Sequence, residues 1–211
     1  MDSTEKLIER IAQQAVPVKP AIHPFALSAK WLAAMMAYLM ATVILSGVRP
    51  DLSAKLDSPL WVAELVLLAA IVVSACLSAA LLSFPDMHQK RWLAFTPAVI
   101  GVLFMLVLGL AWQADNPPAP HAGHTLLCTL QIALLALLPA AFMFYSMRGF
   151  ASTHPYLAGS IALLAAFSIG SISLRLYEST DSMLHVIQWH YLPMTGAGLI
   201  GLGLGKIFLK W

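Results

Sequence analysis

Charge is what this sequence has least of. Lys, Arg, Asp and Glu make up 10% of its 211 residues, against roughly 25% in a soluble domain. A soluble fold of this length could not cover its surface with so few charges. Cysteine is nearly absent too. Cys76 and Cys128 are the only two, too few for a disulfide framework. The polar N-terminus has no apolar run directly after a basic cluster, so no cleaved signal peptide is read there. No nucleophile elbow, phosphate-binding glycine loop or zinc-hydrolase helix is visible, and no enzymatic activity is assigned. A net charge of +2 gives no reason to expect direct binding to nucleic acid.

What fills the chain instead is apolar sequence, 60% of residues at a mean hydropathy of +0.80. A membrane-crossing helix needs about 20 mainly apolar residues. Six runs qualify: residues 25–48, 60–84, 92–112, 125–147, 156–177 and 183–208. Loop chemistry separates them, most plainly the Pro- and Gly-rich "QADNPPAPHAGH" after the third. A helix satisfies its own backbone in lipid. The sequence therefore predicts an all-α integral membrane bundle of six helices over residues 24–211, preceded by a short polar arm over residues 1–23. Pro97, Pro139 and Pro193 fall inside runs and predict kinks.

Lys and Arg orient the bundle. With the N-terminus cytoplasmic, the inner segments hold Lys6, Arg10, Lys19, Lys30, Lys90, Arg91, Arg148, Lys206 and Lys210, and the outer ones hold Arg49, Lys55 and Arg175. The expected location is a bacterial inner membrane, crossed six times, with both termini in the cytoplasm. The arm then also faces the cytoplasm. Leu7, Ile8, Ile11 and Ala15 share one helical face opposite Glu5, Glu9 and Gln13. Val16-Pro17 ends that helix. A helix of about three turns is marginal alone in water, so it needs a surface. The inner leaflet and a soluble partner both fit. The acidic residues weigh against the leaflet, where a Lys/Arg-rich polar face is favoured.

"KLIERIAQQAVPVKP" near the start and "DSMLHVIQWHYLPMTGAGLIGLGLGKIFLKW" at the end, with Cys128 near the start of the fourth run, resemble the NrsF-type family, membrane-bound negative regulators of sigma factor F. The order of these segments and the six runs extend the resemblance over essentially the whole chain. It implies an anti-sigma factor that holds an extracytoplasmic-function sigma factor through Leu7, Ile8, Ile11 and Ala15. Release on envelope stress, oxidative or metallic, is the implied trigger. Members of the family usually carry a second cysteine after the fifth run. Here Glu178 stands at that place, so two-cysteine sensing does not carry over.

Cys76 does not substitute for it. Counted from the outer side, it lies about 16 residues into its run and Cys128 about three. At ~1.5 Å per residue the depths differ by roughly 20 Å, whereas a disulfide needs Cα atoms within ~7 Å. The sensing candidates are Cys128, Glu178, Asp181 and His185, with His124 also near the outer surface. No spacing among the seven histidines matches a compact metal motif, so no metal and no cofactor are assigned. A b-type haem needs two histidines at matched depth, and only His190 lies well inside a run. Glu64 and Arg175 each sit about one turn from the outer end of a run and are expected to pair as a structural tie. Gly201 and Gly205 provide close helix approach, more readily inside the bundle than between chains. The other class of function considered is a small secondary transporter. It calls for charges along a path or an internal repeat, and the halves around Trp112 show no repeat.

Overall fold

The computed structural model describes residues 3–14, 22–115, 125–179 and 182–210. The described residues are helical and contain no strand. α1, Ser3–Gln14, starts with Glu5 in its first turn and is exposed along the residues whose burial is described. α2 spans Pro24–Ser46. Pro24 occupies the first turn, where its missing N–H costs nothing. His23 caps that end, its Nδ1 accepting from the Phe25 N–H at 3.3 Å. Gly47, at φ 79°, ends the helix in a backbone region that suits glycine. α3, Leu52–Leu56, is a short turn in the following loop. α4 covers Pro59–Leu82, α5 Arg91–Ala94, α6 Thr96–Ala114, α7 Thr125–Met147 and α8 Pro155–Tyr177.

Five of these, α2, α4, α6, α7 and α8, are long and apolar enough to cross a membrane. Two sequence expectations change here. The run over residues 92–112 is not one helix. It breaks at Phe95 into α5 and α6, and Pro97 sits in the first turn of α6 instead of kinking its middle. The run over residues 183–208 is helical throughout but not uniform. It comprises α9, Met183–Val186, a π turn over Ile187–Tyr191, and α10, Leu192–Phe208. Pro193 is the cause. It has no N–H for the carbonyl four residues back, and its ring crowds that carbonyl. That carbonyl belongs to Trp189, and the Thr129 hydroxyl of α7 donates to it at 2.7 Å. One residue before the proline, the Leu192 N–H reaches back five residues to the Ile187 carbonyl. Pro139 does lie inside a helix, α7.

α8 is the most buried of the long helices and packs against α2, α4, α7 and α10. Its contact with α10 is made by glycine. A Cβ on Gly201 would lie 2.6 Å from the Gly159 carbonyl oxygen, and one on Gly205 would overlap the Pro155 carbonyl oxygen. The small-residue register of α10 is thus used within the chain. On the other side of α8, a Cβ on Gly170 would meet the Ile132 carbonyl oxygen of α7 at 2.7 Å. α2 is tied to α7 by the Trp31 indole N–H, which donates to Ser146 Oγ at 2.7 Å.

Candidate functional site

The polar groups of the bundle gather at the end where α4 and α7 begin and α8 finishes. The first group is Glu64, Arg175 and Tyr191. Arg175 Nε donates to Glu64 Oε1 at 2.7 Å and its Nη2 to Oε2 at 3.0 Å. The Tyr191 hydroxyl donates to the same carboxylate. All three side chains are buried. A buried carboxylate and guanidinium are tolerable only when each satisfies the other, and the fork geometry of arginine does this with two parallel bonds. Phe104 packs edge-on against Tyr191, ring centroids 4.9 Å apart.

Beside it, Arg49 closes the loop between α2 and α4 over the end of α8. Its backbone N–H donates to the Leu176 carbonyl at 2.8 Å. Its guanidinium is buried and bonds both carboxylate oxygens of Asp51, at 2.7 and 2.8 Å. That hydrogen bond holds the Asp51 carboxyl down at about 2. Asp115, just past α6, accepts from the Met183 N–H at 2.9 Å and so satisfies an orphan donor at the start of α9.

The second group is Cys128, Glu178, His185 and His190. Each offers one ligand atom, and these atoms all lie within 4.8 Å of one another. Three helical segments contribute. Cys128 is in the first turn of α7, Glu178 caps the C-terminus of α8, and the histidines lie on α9 and the π turn. Cys128 Sγ is 3.5 Å from both Glu178 oxygens. His190 Nε2 is 3.4 Å from Glu178 Oε2, within ion-pair distance but outside hydrogen-bond geometry. The two imidazoles meet edge-to-face with centroids 5.4 Å apart. Cys128, His185 and His190 are at most 3% exposed.

Of the sensing residues expected from sequence, Cys128, Glu178 and His185 come together. Asp181 and His124 lie outside the described residues, as does Ala15 of the arm. Leu7, Ile8 and Ile11 are exposed on α1. Glu64 and Arg175 meet. Cys76 is buried in α4 and takes no part in the cluster. Sequence reading missed His190 and Tyr191. An α-helix turns about 100° per residue, so histidines five apart would lie roughly 140° apart around it. The wider π turn brings them to one side. Pro193 was the visible signal, since a proline in a helix frees a carbonyl three to four residues earlier.

The sequence model of the family described as negative regulator of sigma F, NrsF, matches residues 11–211. The chain belongs to the NrsF family. Among its NrsF relatives, the "Probable anti-sigma-F factor NrsF" of Azospira oryzae is 28% identical over 99% of both chains. The "Anti-sigma-F factor NrsF" of Caulobacter vibrioides is 26% identical, over 77% of this chain and 78% of its own. No solved structure gives a significant match.

Proposed function

We propose that this chain is an anti-sigma factor that holds an extracytoplasmic-function sigma factor at the bacterial inner membrane. The observation that carries the reading is the NrsF family match over residues 11–211, together with relatives named as anti-sigma-F factors. α1 is the clamp. Leu7, Ile8 and Ile11 are 55–62% exposed, an apolar face with no purpose unless another surface covers it. Residues 3–10 of α1, Leu7 and Ile8 among them, precede the family match, but the alignment with the Azospira oryzae relative covers 99% of the chain. On this reading the five apolar helices and the helical stretch over residues 183–208 each cross the membrane. The nine basic residues on one side against three on the other put both termini, and so α1, in the cytoplasm within reach of a sigma factor. Envelope stress releases the partner, and the polar end of the bundle, on the opposite side of the membrane, is where the signal enters.

Burying a Leu or Ile side chain is worth ~1.5–3 kcal/mol. Leu7→Asp with Ile11→Asp should therefore weaken capture well over tenfold. The test is co-purification of a sigma factor with the full-length protein from native membranes. A sigma factor that co-purifies equally with the double variant removes α1 from the interface. A periplasm-active reporter fused ahead of Ser3 should be silent; activity there would put the clamp on the wrong side.

A further inference from the structure

We propose that Cys128, Glu178, His185 and His190 form a binding site for one borderline divalent transition-metal ion, of which Zn(II) is the type. The donor set is one thiolate, one carboxylate and two imidazoles, which suits Zn(II), Co(II) or Ni(II) and not Ca(II) or Mg(II), which take six or more oxygens. The charge balances: thiolate and carboxylate neutralise a dication, and neutral imidazoles add none. At this buried site that balance decides whether an ion is tolerated.

The spacing also fits. With metal–ligand bonds of ~2.0–2.3 Å, tetrahedral ligands stand about 3.3–3.8 Å apart. The Cys128–Glu178 separation is 3.5 Å and the His190–Glu178 separation 3.4 Å. The remaining pairs are no more than 4.8 Å apart, so closing the shell requires movements of about 1 Å. Both nitrogens of His190 are fully buried without a hydrogen bond among the described residues. An imidazole in that condition is destabilised until something binds it. On binding, the Cys128 thiol proton passes to solvent. The cluster contains one thiol, so no disulfide can form within it.

Control of a sigma factor by this ion would rest on the function proposed above; the site itself does not. The test uses the full-length, tag-free protein in detergent micelles with Zn(II) alone, no sigma factor present. One Zn(II) per chain should survive gel filtration. Outer-shell changes at zinc sites cost 10–100-fold, so Cys128→Ser and His190→Gln should each weaken binding at least tenfold. The Co(II) adduct should show a thiolate-to-metal charge-transfer band that is lost in Cys128→Ser. Glu178→Cys, which keeps a ligand in place, should retain the ion and shift preference toward Cd(II). Absence of stoichiometric Zn(II) in the native protein would overturn the site. So would affinity unchanged by both ligand substitutions, or a Glu178→Cys variant that binds no metal.

Discussion

The Glu64–Arg175–Tyr191 group makes a sharp energetic prediction. Both ionic side chains are almost wholly buried, at 1% and 2% exposure, and they share two short hydrogen bonds. Arg175→Met removes the cation and strands the Glu64 carboxylate. Leaving one buried partner without the other costs ~3–5 kcal/mol. Removing both, as in Glu64→Leu with Arg175→Met, leaves an apolar contact between α4 and α8, and such replacements are often neutral or stabilising. Tyr191 still carries a hydroxyl in that double variant, so Tyr191→Phe is added to complete it. Each variant is unfolded in micelles, and its free energy is compared with the native protein's. Arg175→Met and Glu64→Leu should each be strongly destabilised, while the combined variant recovers most of the loss. An interaction energy near zero in that cycle, or a cost below about 1 kcal/mol for Arg175→Met alone, would refute the assignment of these groups as a tie between helices.

Gly205→Leu should prevent α10 from seating on α8, because even a Cβ there overlaps the Pro155 carbonyl; the readout is loss of a monodisperse folded species, whereas Gly196→Leu, where a Cβ meets nothing within 4 Å, should be tolerated. The Asp51 carboxyl is lowered from 3.8 to about 2 by its bond to Arg49. Its contribution is therefore fully present above pH ~4 and is lost only as pH falls through about 2. The stability difference between native protein and Asp51→Asn should stay flat from pH 5 to 8, and a slope across that range would contradict the pairing.

Much of the architecture was legible in the sequence because lipid imposes a local rule. Every backbone group must be satisfied within its own helix, so hydropathy alone marked α2, α4, α7 and α8 to within a few residues. It merged α5 and α6 into one run because residues 92–94 are apolar and themselves helical, while the break at Phe95, just before Pro97 in the first turn of α6, leaves no mark in hydropathy. The family, too, was written in the ordered segments at the two ends of the chain. Cys128, Glu178 and His185 were nameable because all lie near one end of their runs, and depth along a helix can be counted from sequence.

Azimuth around a helix cannot be counted the same way once the helix departs from 3.6 residues per turn. His190 joins the cluster, and Tyr191 reaches Glu64, only because a π turn inserts ahead of Pro193. The turn is held by Thr129 from another helix, sixty positions away in the chain. How near α7 and α10 come to α8 was likewise a tertiary matter, decided by glycines 159, 170, 201 and 205 meeting backbone across the interfaces. Sequence by itself determined which segments are long and apolar enough to cross a membrane and which residues share a depth. Packing decided which of those residues touch, because contact depends on rotation and separation of helices, and neither is encoded within a single segment.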